Sequence, residues 1–147
     1  MSSGKEPSDE ITLEVRGCLC LHLQRAARAV ARRFDQAFRP LDLTNGQFSL
    51  LTALDRMDQP SIGRVSAVLA MDRTTLTANL KPLERRGLIE VTMDPADKRT
   101  RRLAVTSAGR ELLVAAVPIW IATHAALEQV IGDVGPDRLR ADLLALC

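Results

Sequence analysis

The chain has 147 residues, 46% of them hydrophobic and 26% charged, the proportions of one folded globular domain rather than a disordered chain. No uncharged apolar run of about 18 residues stands out, so no membrane span is expected. The opening MSSGKEPSDE has acids and no apolar stretch, so no secretory signal is expected and the cytoplasm is the default address. Arginine outnumbers lysine 17 to 3, yet the net charge is only +2. Phe34, Phe38, Phe48 and Trp120 are the only aromatics, too few for a stacking platform on single-stranded nucleic acid.

Residues 1–10 read as a disordered tail. From Ile11, apolar residues recur at helical spacing (Val15, Cys18, Leu19, His22 or Leu23, Ala26, Val30, Phe34, Ala37) and predict one helix of about seven turns, ended by Pro40. So long a helix needs a partner along its length. Thr44 caps a second helix to about Met57, with Phe48, Leu51 and Leu54 inward. Pro60-Ser61 opens a short third, with Ile62, Val65, Val68 and Leu69 inward. Ala70-Met71-Asp72 makes a tight turn, and Asp72 caps a fourth helix to about Arg86 that Gly87 ends in a left-handed conformation. The period then changes to two. Residues 88–93 and 101–105 alternate as strands of one hairpin, joined by the charged turn 94–99. Thr106 caps a fifth helix to about residue 131, with Pro118 inside it and expected to kink it. Residues 136–147 form a last short helix, with Leu139, Leu143 and Leu146 on one side.

A short helix, a tight turn, a second helix and a basic hairpin make a winged helix-turn-helix. The fold class is mainly α with one β-hairpin wing. The charge distribution agrees: residues 1–60 sum to 0, residues 61–102 to +4 and residues 103–147 to −2. The helix after the turn fits the major groove of duplex DNA, and its exposed face needs small polar residues that reach base edges. Arg73, Thr74, Thr75, Thr77, Ala78, Asn79 and Lys81 supply that face. Lys98 and Arg99 at the hairpin tip, with Arg101 and Arg102 behind them, suit a narrow minor groove. No catalytic constellation, metal-ligand spacing or cofactor motif is found; Cys18, Cys20 and Cys147 form neither a zinc set nor a disulfide framework. A winged-helix module that binds only protein is the reading from another class.

Residues 44–110 resemble the MarR family of bacterial transcriptional regulators, through MDRTTLTANLKPLERRGLIEV at 71–91 and DPADKRTRRLAVTSAGREL at 94–112. The second stretch holds the family's Asp-x-Arg wing signature as Asp97-Lys98-Arg99. The likeness in helix order extends over the chain after residue 10. The resemblance implies that Asp97 braces Arg99, which reaches the minor groove. It also implies a homodimer intertwined through residues 11–40 and 106–147, with residues 41–105 as the DNA-binding lobe. Two-fold symmetry then implies a pseudo-palindromic operator, and the family's habit implies repression. Pro82 departs from an ideal reading helix and casts Arg85 and Arg86 as phosphate contacts rather than groove contacts.

The same resemblance implies a switch. A small aromatic or anionic effector would sit where the dimerisation helices meet the DNA-binding lobe, against His22, Ala26, Phe48, Leu51, Trp120 and His124. The alternative is thiol oxidation, because Cys20 stands at the reactive position of the organic-hydroperoxide sensors, the branch this stretch most resembles. Those sensors hold the thiolate with Tyr hydroxyls, and this chain has no Tyr. Cys18 and Cys20 on one continuous helix would point about 200° apart, too far for a mutual disulfide.

Overall fold

The computed structural model describes residues 16–147. The expected tail over 1–10 and the first turn of the long helix lie outside them. Eight elements carry the fold: α1 (Leu19–Phe38), α2 (Asn45–Asp55), α3 (Ile62–Val68), α4 (Arg73–Arg85), β1 (Ile89–Met93), β2 (Arg101–Val105), α5 (Ser107–Ile131) and α6 (Pro136–Leu144).

The long helix that the apolar pattern predicts is broken. Arg16 is helical, Gly17 turns, Cys18 is extended with φ −62° and ψ 113°, and α1 starts at Leu19. Gly17 is the local cause, since glycine costs about 1 kcal/mol in a helix interior. No packing offsets that cost, because residues 16–22 are all exposed. Cys18 and Cys20 therefore do not share a helix, and the angular argument about a disulfide between them does not apply. At the other end α1 buries Phe34 and Phe38, turns through a 3-10 segment at Arg39–Leu41, and places Asp42 in the left-handed region. The Asn45 N–H donates to Asp35 Oδ1 at 2.7 Å and ties α2 to α1.

The cap residues act as the sequence predicts. Thr44 forms a full capping box with Gln47, while Ser61, Asp72 and Thr106 each accept from the backbone N–H three residues on. Gly87 has φ +68°. The α3–α4 turn departs from expectation: Ala70 has φ +48°, a region that suits glycine. Two bonds fasten the turn over it. The Met71 N–H donates to Ser66 O at 3.0 Å, and the Ser66 hydroxyl donates to Met71 O.

The hairpin pairs antiparallel with Ile89 opposite Val105 and Met93 opposite Arg101, and Ser61 adds a bridge to Arg102. Leu50, Leu51, Leu54, Val65, Leu76, Leu83 and Leu103 are buried in a core shared by α2–α4 and the hairpin. Phe34 and Phe38 from α1, and Leu113 and Ala116 from α5, join it. At one junction the backbones nearly touch. A Cβ built on Gly109 would lie 2.2 Å from Leu88 O and 2.7 Å from Val105 Cγ1.

Two helices differ from expectation in a way that bears on assembly. α5 is continuous through Pro118. By length and composition it is apolar enough to cross a membrane, with a mean hydropathy of 1.4 over an 18-residue window, against the expectation of no such stretch. The uncharged run 112–127 falls just short of the length sought in the sequence, and flanking residues complete the window. Its buried residues, Gly109, Leu113 and Ala116, all lie in its first half, and Trp120 and Leu127 further along pack on the core only in part, while Val114, Ile121 and Val130 are 74%, 56% and 68% exposed. α6 ends at Leu144 and has no buried residue, with Leu139, Leu143 and Leu146 exposed.

Candidate nucleic-acid interface

The reading helix α4 exists because Leu76, Leu80 and Leu83 seat one face in the core. The opposite face is left to solvent, and Arg73, Thr74, Thr77, Ala78 and Lys81 line one shallow groove of about 410 Å³ along it. Five of the seven residues chosen for this helix are thus together. The other two are engaged locally. The Thr75 N–H and hydroxyl both donate to Asp72, at 2.8 Å each, and hold its carboxyl below the usual carboxylate range. Asn79 is half-buried, with Nδ2 donating to Thr75 O at 3.0 Å and its amide facing Gly46 of α2.

At the wing, Asp97 does brace Arg99, but through the backbone. Oδ1 accepts from the Arg99 N–H at 3.0 Å, and Oδ2 accepts from the Thr100 hydroxyl at 3.0 Å. That Asx turn commits the carboxylate to the loop. The exposed Lys98 and Arg99 side chains have no hydrogen-bond or ion-pair partner among the described residues. Arg102 is not a free cation. Its Nε donates to Asp94 Oδ2 at 2.7 Å and its Nη1 to Gln59 O at 3.3 Å. Asp94 is the buried acid among the described residues, and the Ala96 N–H, followed by Arg102, holds its carboxyl below the usual range. The sequence reading missed this brace. The hairpin register was its signal, since Arg102 faces Thr92 and Asp94 lies two residues beyond on the same side.

Arg86 is also structural. Both guanidinium ends donate to α1–α2 carbonyls, to Asp42 O and to Leu41 O. Arg85 is exposed. Pro82 lies within α4 without interrupting it.

The residues chosen for an effector do not share one cavity. Phe48 and Trp120 line an apolar groove of about 950 Å³ between α2 and α5, with Thr52, Met57, Val68 and Val117. The Arg110–Asp55 pair, 3.0 Å, stands at its edge. Leu51 is fully buried in the core beside it. His22 and Ala26 line a basic groove on α1 with Arg25, Arg28 and Arg32. His124 faces a third groove between α1, α5 and α6, and stacks on Trp120. Cys20 is free and exposed, its Sγ accepting from Gln24 Nε2 at 3.4 Å. Among the described residues no group of three or more His, Cys, Asp or Glu is arranged to hold a metal.

Comparison with known proteins agrees with this geometry. A family model described as the MarR family matches residues 41–100. Transcriptional regulator HosA of Escherichia coli O111:H- is 40% identical over 80 residues, a stretch covering 53% of this chain and 58% of HosA. The chain thus spans little more than half the length of that relative. The transcriptional regulator MosR of M. tuberculosis, crystallised in complex with DNA, superposes with a TM-score of 0.79 at 36% identity, covering 88% of this chain and 92% of that one. BpsR of Bordetella bronchiseptica, whose DNA binding is regulated by 6-hydroxynicotinic acid, superposes with a TM-score of 0.74 at 28% identity, covering 88% of this chain and 91% of that one.

Proposed function

The chain belongs to the MarR family of transcriptional regulators, and from that premise we propose that it acts in the cytoplasm as a dimeric repressor, released from a pseudo-palindromic operator by a small molecule. The observation that carries the reading is the pairing of two exposed surfaces on one lobe. One is the α4 groove of Arg73, Thr74, Thr77, Ala78 and Lys81; the other is the wing tip of Lys98 and Arg99. A helix in the major groove and a cation in the adjacent minor groove need this arrangement. Asp97 and the Asp94–Arg102 pair fix the wing backbone, so little entropy is lost in ordering it on binding.

Dimerisation is favoured by what the single chain leaves uncovered. Val114, Ile121, Val130, Leu139 and Leu143 expose large apolar side chains on α5 and α6. Val114 and Ile121 share one side of α5, while Val130, Leu139 and Leu143 line the groove between α5 and α6; exposed apolar patches of this kind mark protein interfaces. A second copy would bury them and bring two reading helices to successive major grooves, about 10 bp apart. An effector is favoured by the large apolar groove under Phe48 and Trp120, since it joins the reading lobe to the long helix.

A gel shift with a duplex from the region upstream of the protein's own gene tests the reading. A retarded complex at low salt, weakened in Arg99→Ala, is the expected result. No complex at low salt would overturn it and leave the protein-binding alternative.

A further inference from the structure

Arginine is concentrated on the first helix, and most of it lies on one side. α1 is helical from Leu19 to Phe38, and Arg39 keeps helical backbone angles. At about 100° per residue, Arg25, Arg28, Arg32 and Arg39 fall within an arc of about 60°, in a row roughly 21 Å long. All four are exposed, and their guanidinium groups have no hydrogen-bond or ion-pair partner among the described residues. Asp35 is the one acid of α1, and its Oδ1 accepts from the Asn45 N–H.

The C-terminal end of the row meets the reading lobe. Arg39 lines one groove with Asp42, with Thr44 and Gln47 at the start of α2, and with Pro82 and Arg86 at the end of α4. Further up, Arg25, Arg28 and Arg32 share their groove only with His22, Ala26 and Ala29. A protein interface is centred on large apolar or aromatic side chains, and this row has none. Phosphates need only charge. A second copy has little to offer the row either. The two carboxylates of α6 are already engaged, Asp137 by Arg140 and Asp142 by Arg138. The side of α1 that turns to α5 and α6 is a different one, with Val30, Arg33 and Phe34. A copy seated there leaves the row open.

We propose that Arg25, Arg28, Arg32 and Arg39 form a track for the phosphate backbone of duplex DNA, outside the base pairs that α4 and the wing meet. The track rests on the operator-binding reading above and adds to it a contact that carries no sequence information. It raises affinity and salt dependence equally on any sequence. Arg39 joins the track to the reading lobe, and the three arginines above it extend the footprint along the duplex.

The full-length protein would be titrated, at several salt concentrations, against a long fragment from the region upstream of its own gene and against a scrambled duplex of the same length. Two variants would be compared with the wild type. One carries Arg25→Ala, Arg28→Ala and Arg32→Ala together; the other carries lysine at the same three positions. Arg39 is kept, so the junction with the reading lobe is undisturbed. Sedimentation would give the oligomeric state of each. The logarithm of affinity falls with the logarithm of salt by about 0.9 for each phosphate neutralised. The alanine variant is therefore expected to lower that slope by about 3 for each row in contact, on both duplexes alike. The ratio of the two affinities should stay unchanged. The lysine variant should keep the wild-type slope, and all three proteins the same oligomeric state. A wild-type slope in the alanine variant would overturn the track and leave operator binding standing. A loss confined to the upstream fragment would make these residues sequence readers, and would overturn it too. A changed oligomeric state would assign the row to the seam between copies, with the same result. No complex of the wild type with either duplex at low salt would overturn the operator-binding reading and the track with it.

Discussion

Arg102 reaches back across the hairpin to Asp94, Nε to Oδ2 at 2.7 Å, and commits to the wing's own framework a charge that its position would otherwise offer to DNA. The basic wing is thus divided in two. Arg102 shapes the loop, while Lys98 and Arg99 project from it. Arg99→Ala is expected to leave the fold intact and weaken operator binding by about 1–3 kcal/mol, with the salt slope falling by roughly 1. Titrations of a fixed duplex at several salt concentrations measure both. An unchanged affinity would remove Arg99 from the interface.

The Asp94–Arg102 pair also predicts a pH response. The Asp94 carboxyl is held below its ordinary value in the folded chain, so the folded state binds its proton less readily than the unfolded one. Its stabilisation is complete above the unfolded value of about 3.9 and is lost as the pH falls through the folded value. Thermal melts from pH 6 downwards should therefore show Tm dropping more steeply in the wild type than in Asp94→Asn. The variant should start lower at neutral pH and have a flatter profile. Parallel curves would contradict the role given to this pair.

Gly109→Ala should be severely destabilising. The new Cβ would meet the Leu88 carbonyl oxygen at 2.2 Å, a backbone atom that cannot easily move, and the Val105 Cγ1 at 2.7 Å. A loss of about 1–3 kcal/mol or more is expected from overpacking. Urea unfolding would measure it, with Ser107→Ala, exposed on the same turn, as the neutral control.

Ala70→Gly should have the opposite sign. Ala70 holds φ +48° in the α3–α4 turn, where an L side chain is strained and glycine is not. Relief of about 1 kcal/mol is expected, less glycine's own entropic cost in the unfolded chain. A lower Tm in this variant would show that the turn does not carry that strain.

These residues also mark what could be read from sequence. Thr44, Asp72 and Thr106 are legible as caps because capping is local chemistry within four residues. The period change at Leu88 announces the hairpin for the same reason. The break at Cys18 is hidden, because the apolar spacing runs through Gly17 while residues 16–22 are all exposed and no packing carries the helix across it. The reading face of α4 was legible as a face. That Thr75 and Asn79 turn inward to Asp72 and the Thr75 carbonyl depends on rotamers, which spacing does not determine. The effector residues scatter over three grooves and the core, because position along a helix does not determine which neighbours a side chain meets in space.

The junction at Thr106 has a mechanical consequence. Its N–H donates to Leu88 O and its hydroxyl to Gly87 O, and Gly109 lies flush against the same strand start. The end of the reading helix, the root of the wing and the start of the long helix meet at one point, which couples the reading head to α5. In the dimer proposed above, the two α5 helices would then act as the arms of a calliper. Each arm is roughly 37 Å long at ~1.5 Å per residue, so a tilt of only about 5° moves its tip by about 3 Å. In that dimer a change so small, almost a whole base-pair step, would take both heads out of register with the duplex.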